Sequence, residues 1–221
     1  MSSFLRVPNP RNTVLLICDV QERLRAAVHG FDAMNGSIVK MIQAAKLLEM
    51  RVLATEQNPK APEIGLADIP ENLYLGLIPK KKVRPTVPLL SPPHLAFSWW
   101  ALFSMMTPEV ESIIAEHKFE TAILVGIESH VCVLQTALSL LRSGLGVYVL
   151  ADAVSSCNRQ EVPVALSRMR QAGAVVSTSE SIIFELLEPE LQAHLELDQG
   201  EKSSTATALG TLLDSADKPN S

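Results

Sequence analysis

The stretch Thr121–Leu141, TAILVGIESHVCVLQTALSLL, decides how this chain is read. Its apolar run Ala122–Val125 ends at Gly126, and a short polar turn of Glu128, Ser129 and His130 follows. Cys132 then opens an amphipathic helix. A run of β-formers, a glycine, a tight turn and a helix is strand–turn–helix punctuation. In α/β proteins ligands sit at the carboxyl ends of parallel strands. A cysteine there meets the positive end of the helix dipole and unpaired backbone N–H groups, which favour thiolate over thiol. Cys132 is therefore the candidate nucleophile.

The same punctuation recurs on either side. Thr13–Cys18 (TVLLIC) is wholly apolar, the pattern of a strand covered on both faces in a parallel sheet, and it runs into Asp19. Ile38, Met41, Ile42, Ala45 and Leu48 recur at helical spacing and predict a helix over 31–49. Arg51–Thr55 predicts a second strand, ending in Glu56-Gln57-Asn58-Pro59. Residues 61–106 break the rhythm. It resumes at Thr107, a good N-cap, with Pro108 at the first helical position and Glu109 and Glu111 in the first turn. Beyond the opening stretch, Val147–Ala151 predicts a strand ending at Asp152, Glu161–Gln171 a helix, Ala174–Ser177 a short strand, and Ser179–Leu187 a helix. Strands alternating with helices through short links predict a parallel sheet with helices on both faces. No internal repeat is present. After Pro189 the composition drifts to Glu, Gln, Ser, Thr and Ala, and disorder is expected from about residue 201.

The bulk numbers fit one α/β domain with a substantial core: 221 residues, 47% hydrophobic and 19% charged, with mean hydropathy +0.19. A net charge of −5 and a pI near 5.6 give no basic footprint for nucleic acid. Three widely spaced cysteines make a poor disulfide framework and suit a reducing compartment. The N-terminus MSSFLRVPNPRN has no apolar region of signal-peptide type, so the cytoplasm is expected. The uncharged stretch 85–108 has the length of a membrane span, yet Pro85, Pro88, Pro92 and Pro93 leave only 95–106 uninterrupted. An apolar flap or partner surface is expected there, with no membrane role.

If strand one and the 121–125 strand lie side by side, Asp19 and Cys132 share one edge of the sheet. A carboxylate there can take the thiol's proton, and the sulfur can then attack a carbonyl or imine carbon. His130 stands two residues before Cys132, a spacing that directs it away from the thiol. Cys18 reads as core, Cys157 as a loop thiol, Glu128 and Ser129 as turn-shaping residues, and Ser155 and Ser156 as residues that cap and turn the chain.

Six ordered segments carry a family resemblance: LLICDVQE (15–22), VLATEQNPK (52–60), FSM (103–105), LVGIESHVCVLQTALSLL (124–141), ADAVSSCN (151–158) and MRQAGAVVSTSESIIFELL (169–187). The chain resembles the isochorismatase-like cysteine hydrolases, a superfamily that includes isochorismatase, nicotinamidase and N-carbamoylsarcosine amidohydrolase. It is most similar to the isochorismatase domain-containing branch, over about residues 11–187 apart from 61–102, which read as an atypical insert or replaced segment. The resemblance implies a three-layer α/β/α fold on a doubly wound, mostly parallel sheet of roughly six strands. It implies a triad of Asp, Lys and Cys, with Asp19 and Cys132 at the first and third places. It also implies a cis peptide at Ile127–Glu128, an oxyanion held by N–H groups at about Glu128 and Cys132, and a small amide, imide or vinyl-ether-type substrate. No cofactor is expected, and a homo-oligomer is. Nicotinamidases of the superfamily carry Asp-x-His and a further His for a metal; the equivalent place here holds Glu56-Gln57-Asn58-Pro59. None of the five histidines is paired at ligand spacing, so no metal is expected.

The second triad place departs from the family. The motif Lys-Thr-x-Phe-Ser-Met is expected, but Trp100-Ala101-Leu102 precedes Phe103-Ser104-Met105, so Trp100 stands where lysine belongs. On this alignment Ala61–Val83 reads as extra sequence and Leu90–Leu102 as replaced sequence. Three readings stay open: a weakened or inactive family member serving as an oligomeric binding or scaffold protein; a site rescued by Lys80, Lys81 or Lys82; or a segment from a translated intron or alternative exon.

Overall fold

Two wholly buried strands, β1 (Thr13–Cys18) and β4 (Thr121–Ile127), pair in parallel at the centre of the molecule, with Thr13 opposite Thr121 and Cys18 opposite Gly126. The computed structural model describes residues 8–57, 66, 69–80, 103–187, 207–208 and 210–212. Around the central pair lie α1 (Phe31–Leu47), β2 (Arg51–Glu56), β3 (Tyr74–Pro79), α2 (Pro108–Glu116), α3 (Leu134–Arg142), β5 (Gly146–Ser155), α4 (Glu161–Gln171), β6 (Val175–Ser177) and α5 (residues 179–187). The six-stranded sheet is parallel throughout in the order β3-β2-β1-β4-β5-β6. The chain winds outward from β1 to β3, returns beside β1 as β4, and winds outward the other way. The switch point therefore lies between β1 and β4, where ligands bind in doubly wound sheets.

Strand alternation explains the three layers. Leu15 and Ile17 of β1, with Ile123, Val125 and Ile127 of β4, join a core cluster with α1 and α5. Val14, Leu16 and Cys18, with Ala122 and Leu124, join a second cluster with α2, α3 and α4. Both faces being covered, each strand is apolar beyond the threonine that opens it, hence the runs 14–18 and 122–125. Thr107 caps α2 as expected, its Oγ1 accepting the Val110 N–H at 3.3 Å.

Some expectations are revised. α1 ends at Leu47, two positions short of the expected helix end. β5 runs through Ser155, because its register against β4 shifts between Leu124 and Gly126 and pairing resumes with Val154 and Ser155. Asp152 lies within β5 and accepts the Ser179 N–H (2.8 Å) and Ser179 hydroxyl, so it caps α5 from a distance. The segment read as extra sequence contains β3, the edge strand of the sheet. Residues 207, 208 and 210–212 are helical and Leu212 packs against the α1 side of the core, a correction to the expected disorder at those positions. No helix among the described residues is long and apolar enough to cross a membrane. The uncharged stretch lies, as far as residue 102, outside the described residues.

Candidate active site

Four strand ends converge at the switch point, and each brings one polar group. β1 ends at Asp19, whose backbone turns to φ +53°, a left-handed conformation that aspartate tolerates better than most residues. Its N–H donates to the Thr55 carbonyl at 3.1 Å, so the strand ladder holds it to the end of β2. The penultimate residue of β2 is Thr55, fully buried, whose hydroxyl donates to Asp19 Oδ1 at 2.9 Å. β3 delivers Lys80, whose N–H extends the ladder to the Glu56 carbonyl at 2.9 Å. Beyond β4 the Ile127–Glu128 peptide is cis. A single π turn, Ser129–Val133, then carries Cys132 into α3, with the Val131 and Val133 N–H groups both donating to the Glu128 carbonyl at 3.1 Å.

Lys80 is the decisive side chain. It starts two strands from β1, about 10 Å away at the usual strand spacing, and only a long stem spans that gap. Its ammonium forms an ion pair with Asp19 Oδ2, both groups being buried at 6% and 3% exposure. It also donates to the Phe103 carbonyl at 3.1 Å. The sulfurs of Cys18 and Cys132 and a carboxylate oxygen of Asp19 all lie within 4.8 Å of one another. Asp19, Lys80 and Cys132 are thus brought together.

The electrostatics divide the two thiols. The Cys132 thiol is lowered below its ordinary value, chiefly by the hydrogen bond with Cys18; burial opposes this and the Lys80 ammonium reinforces it. Cys18 is pushed up by burial, then by the hydrogen bond with Cys132 and the charge of Asp19. Burial alone would weaken the Lys80 ammonium, but Cys18, Asp19 and Cys132 outweigh it and hold the group above its usual range. Two sulfurs and a carboxylate form a donor set of the size a soft divalent metal takes. Here Asp19 already holds a resident cation, the Lys80 ammonium, so the residues present fit a metal poorly.

The remaining sequence candidates fall around this cluster. His130 Nδ1 lies 3.0 Å from Ser156 Oγ, committed to β5's end and not to the thiol. Glu128 accepts the Cys157 N–H at 2.9 Å, and Cys157 itself is exposed. Ser155 and Ser156 tie the end of β5 to the loop at His29. Phe103-Ser104-Met105 is anchored on α3: the Met105 N–H donates to Thr136 Oγ1 at 2.8 Å, and that hydroxyl donates to the Cys132 carbonyl at 2.7 Å. Trp100, Lys81 and Lys82 lie outside the described residues; the ammonium beside Asp19 and Cys132 is that of Lys80. Sequence reasoning missed Thr55, which orients the carboxylate, and the Phe103 carbonyl, which receives the ammonium. A cavity of about 700 Å³ opens elsewhere, between the start of α1, the end of β5 and the start of α4.

Thr55 gives a first test. Thr55→Val keeps the shape and removes the donor, leaving a buried carboxylate oxygen short of a partner, so a loss of about 1–3 kcal/mol is expected in urea unfolding. Thr55→Ser should retain most of the stability. Equal losses in both would show that packing at the methyl group, not the hydrogen bond, matters.

Comparisons with known proteins converge on one group. The isochorismatase domain model matches residues 13–181. Isochorismatase domain-containing protein 2 of Xenopus laevis is 40% identical over 190 residues, covering 85% of this chain and 82% of that protein. A solved structure described as MAR1 ribonuclease from Caenorhabditis elegans is 32% identical, with TM-score 0.63, covering 89% of this chain and 95% of that one. A putative MAR1 ribonuclease from Leishmania donovani shares the fold at TM-score 0.72 and 21% identity, over 97% and 96% of the two chains. Matched over most of its length by that domain model and by the frog protein, this chain belongs to the isochorismatase domain family.

Proposed function

We propose that the protein is a cysteine hydrolase of small amides or imides, with Cys132 as nucleophile, Asp19 as acid–base group and Lys80 as the cation between them. The observation that carries this reading is the buried Asp19–Lys80 ion pair set beside a thiol whose pKa is lowered. The Cys132 proton passes to Asp19, and the thiolate sulfur attacks the carbonyl carbon. Negative charge develops on the carbonyl oxygen, to be met by backbone N–H groups at the Glu128–Cys132 turn. Collapse of the tetrahedral intermediate expels the amine, which takes the proton from Asp19 and leaves a thioester on Cys132. Water, deprotonated by Asp19, then releases the acid and restores the thiol. Lys80 steadies each charged form in turn.

Among the substrate types considered, amides and imides suit a thiolate, since a vinyl ether is opened first by protonation at carbon. The scaffold reading is less well supported: desolvating an ion pair is costly and gives weak net stability, so a protein that only binds has little reason to keep one beside a thiol. The C. elegans relative is described as a ribonuclease. A net charge of −5 offers little to an RNA backbone, so RNA cleavage serves as a control arm. A homo-oligomer and a cytoplasmic setting belong to the same proposal.

The test is iodoacetamide labelling against pH, followed by peptide mapping. Cys157 is exposed, but burial against its neighbours and the charge of Glu128 push its thiol up. A lowered pKa leaves Cys132 as thiolate at pH values where Cys157 is still protonated. Near pH 7 Cys132 should therefore label faster than Cys157, and its rate should level off below the ordinary thiol value of about 8.5. The same preparation is offered a panel of small amides and imides, and RNA. Slower labelling of Cys132 than of Cys157 at neutral pH, or cleavage of RNA alone, would overturn the proposal.

A further inference from the structure

The established fold and the hydrolytic reading leave one nucleophilic group unused, the second thiol inside the site. We propose that Cys18 is a resolving thiol for Cys132, so that oxidation by a peroxide closes the site reversibly as a Cys18–Cys132 disulfide. The inference rests on the reading of Cys132 as a thiolate.

The geometry supports the pairing. The two sulfurs lie within 4.8 Å of each other. A disulfide requires about 2.05 Å, so less than about 3 Å separates the present arrangement from a bond. That gap falls between a β1 side chain and a residue on a single π turn, Ser129–Val133.

The two thiols also differ in the way such a reaction needs. Cys132 is half-buried, open to a small oxidant, and is the group with thiolate character. Cys18 is fully buried and held as a protonated thiol. It is shielded from direct attack and stands against the only sulfur it would need to meet. Cys157 is exposed, its N–H on Glu128.

The chemistry balances with hydrogen peroxide as oxidant. The Cys132 thiolate attacks one peroxide oxygen, the O–O bond breaks, and hydroxide leaves, giving a sulfenic acid on Cys132. The Cys18 sulfur then attacks the Cys132 sulfur, the S–O bond breaks, and the Cys18 proton leaves with the hydroxyl as water. The disulfide removes the nucleophile and also the S–H donor that lowers its pKa. It further protects Cys132 from sulfinic and sulfonic acid, which thiols do not reverse.

Trypsin separates the three cysteines cleanly. Cys18 lies on residues 12–23, Cys132 on 119–142 and Cys157 on 143–159. Full-length protein is treated with hydrogen peroxide, blocked with iodoacetamide and digested without reductant. The expected product is peptide 12–23 linked to 119–142, with labelling of Cys132 restored by dithiothreitol. In Cys18→Ala and Cys18→Ser the link should vanish, and peptide 119–142 should carry sulfinic or sulfonic acid that dithiothreitol does not remove. Cys157→Ala should still form the link. Wild-type protein in which Cys132 is overoxidised while Cys18 stays free would overturn the proposal, as would equal recovery in wild type and Cys18→Ser, whose hydroxyl keeps a donor beside Cys132 but cannot form the link. Labelling of untreated protein keeps the two readings apart. A Cys132 that labels early but never links sinks only the disulfide; one with an ordinary pH profile that still links sinks only the hydrolase.

Discussion

Lys80→Met is expected to lower hydrolysis of any amide the protein accepts by about a thousandfold, since members of a catalytic unit act jointly. Labelling of Cys132 at neutral pH should fall with it. Removing the ammonium takes away one of the influences that lower the Cys132 thiol and leaves the Asp19 charge, which raises it, without its counter-ion. The variant should also be less stable, because Asp19 is left as a buried charge without a counter-ion; breaking such a pair costs about 3–5 kcal/mol. For a chain of this size that is on the order of 10 °C in Tm. The two effects can be separated. In Asp19→Asn/Lys80→Met the stranded charge is gone, so stability should largely return while activity and neutral-pH labelling do not. Lys81→Met and Lys82→Met should behave as wild type, and Trp100→Lys should bring no gain. Full neutral-pH labelling in Lys80→Met would show that the ammonium is incidental.

That lysine marks the boundary of what the chain discloses before folding. β1 and β4 are legible because a strand buried on both faces is apolar along nearly its whole length, and Asp19 and the turn to Cys132 stand out against such runs. β3 is not: Tyr74-Leu-Gly-Leu-Ile-Pro is a half-exposed edge strand containing a glycine and a proline, neither of which reads as strand. Reading β3 as extra sequence hides the strand that delivers the ammonium. The family motif misleads for a related reason. It places lysine a few residues before Phe103, whereas here residues 81–102 stand between them. In space the two remain neighbours, Lys80 Nζ lying 3.1 Å from the Phe103 carbonyl. An excursion whose ends meet is cheap, since doubling a loop adds only about 0.6 kcal/mol. Spacing along the chain can therefore change greatly while the site does not. Thr55 is invisible for another reason: nothing in a strand pattern says which buried threonine faces the carboxylate at the end of the neighbouring strand.

Gly126→Ala should have the largest effect on stability of any single methyl added to the described glycines. Gly126 has φ +109° and sits opposite Cys18 in the β1–β4 register. A Cβ there would lie 2.2 Å from the Cys18 carbonyl oxygen, 2.8 Å from its nitrogen and 2.9 Å from its carbonyl carbon. All three are backbone atoms of the central strand, so no side chain can swing away to make room. The strand ends must part by roughly 1 Å, in an interior packed like a crystal, and they are the ends that carry Asp19 and Cys132. Backbone strain adds to the clash, because an L-residue is disfavoured at positive φ. A loss above about 4 kcal/mol is expected, in the exceptional range for a point substitution. Protein that does fold should lose about a hundredfold in reactivity from misplacement of that size. Gly144→Ala supplies the control: φ is also positive, at +84°, but nothing lies within 4 Å of the added carbon. It should cost only the strain, about 1–2 kcal/mol. Urea unfolding of the two variants, with soluble yield as the readout where Gly126→Ala does not accumulate, separates clash from strain. Similar midpoints would mean that β1 and β4 can separate at little cost, and that the close approach at Cys18 does not hold the site together.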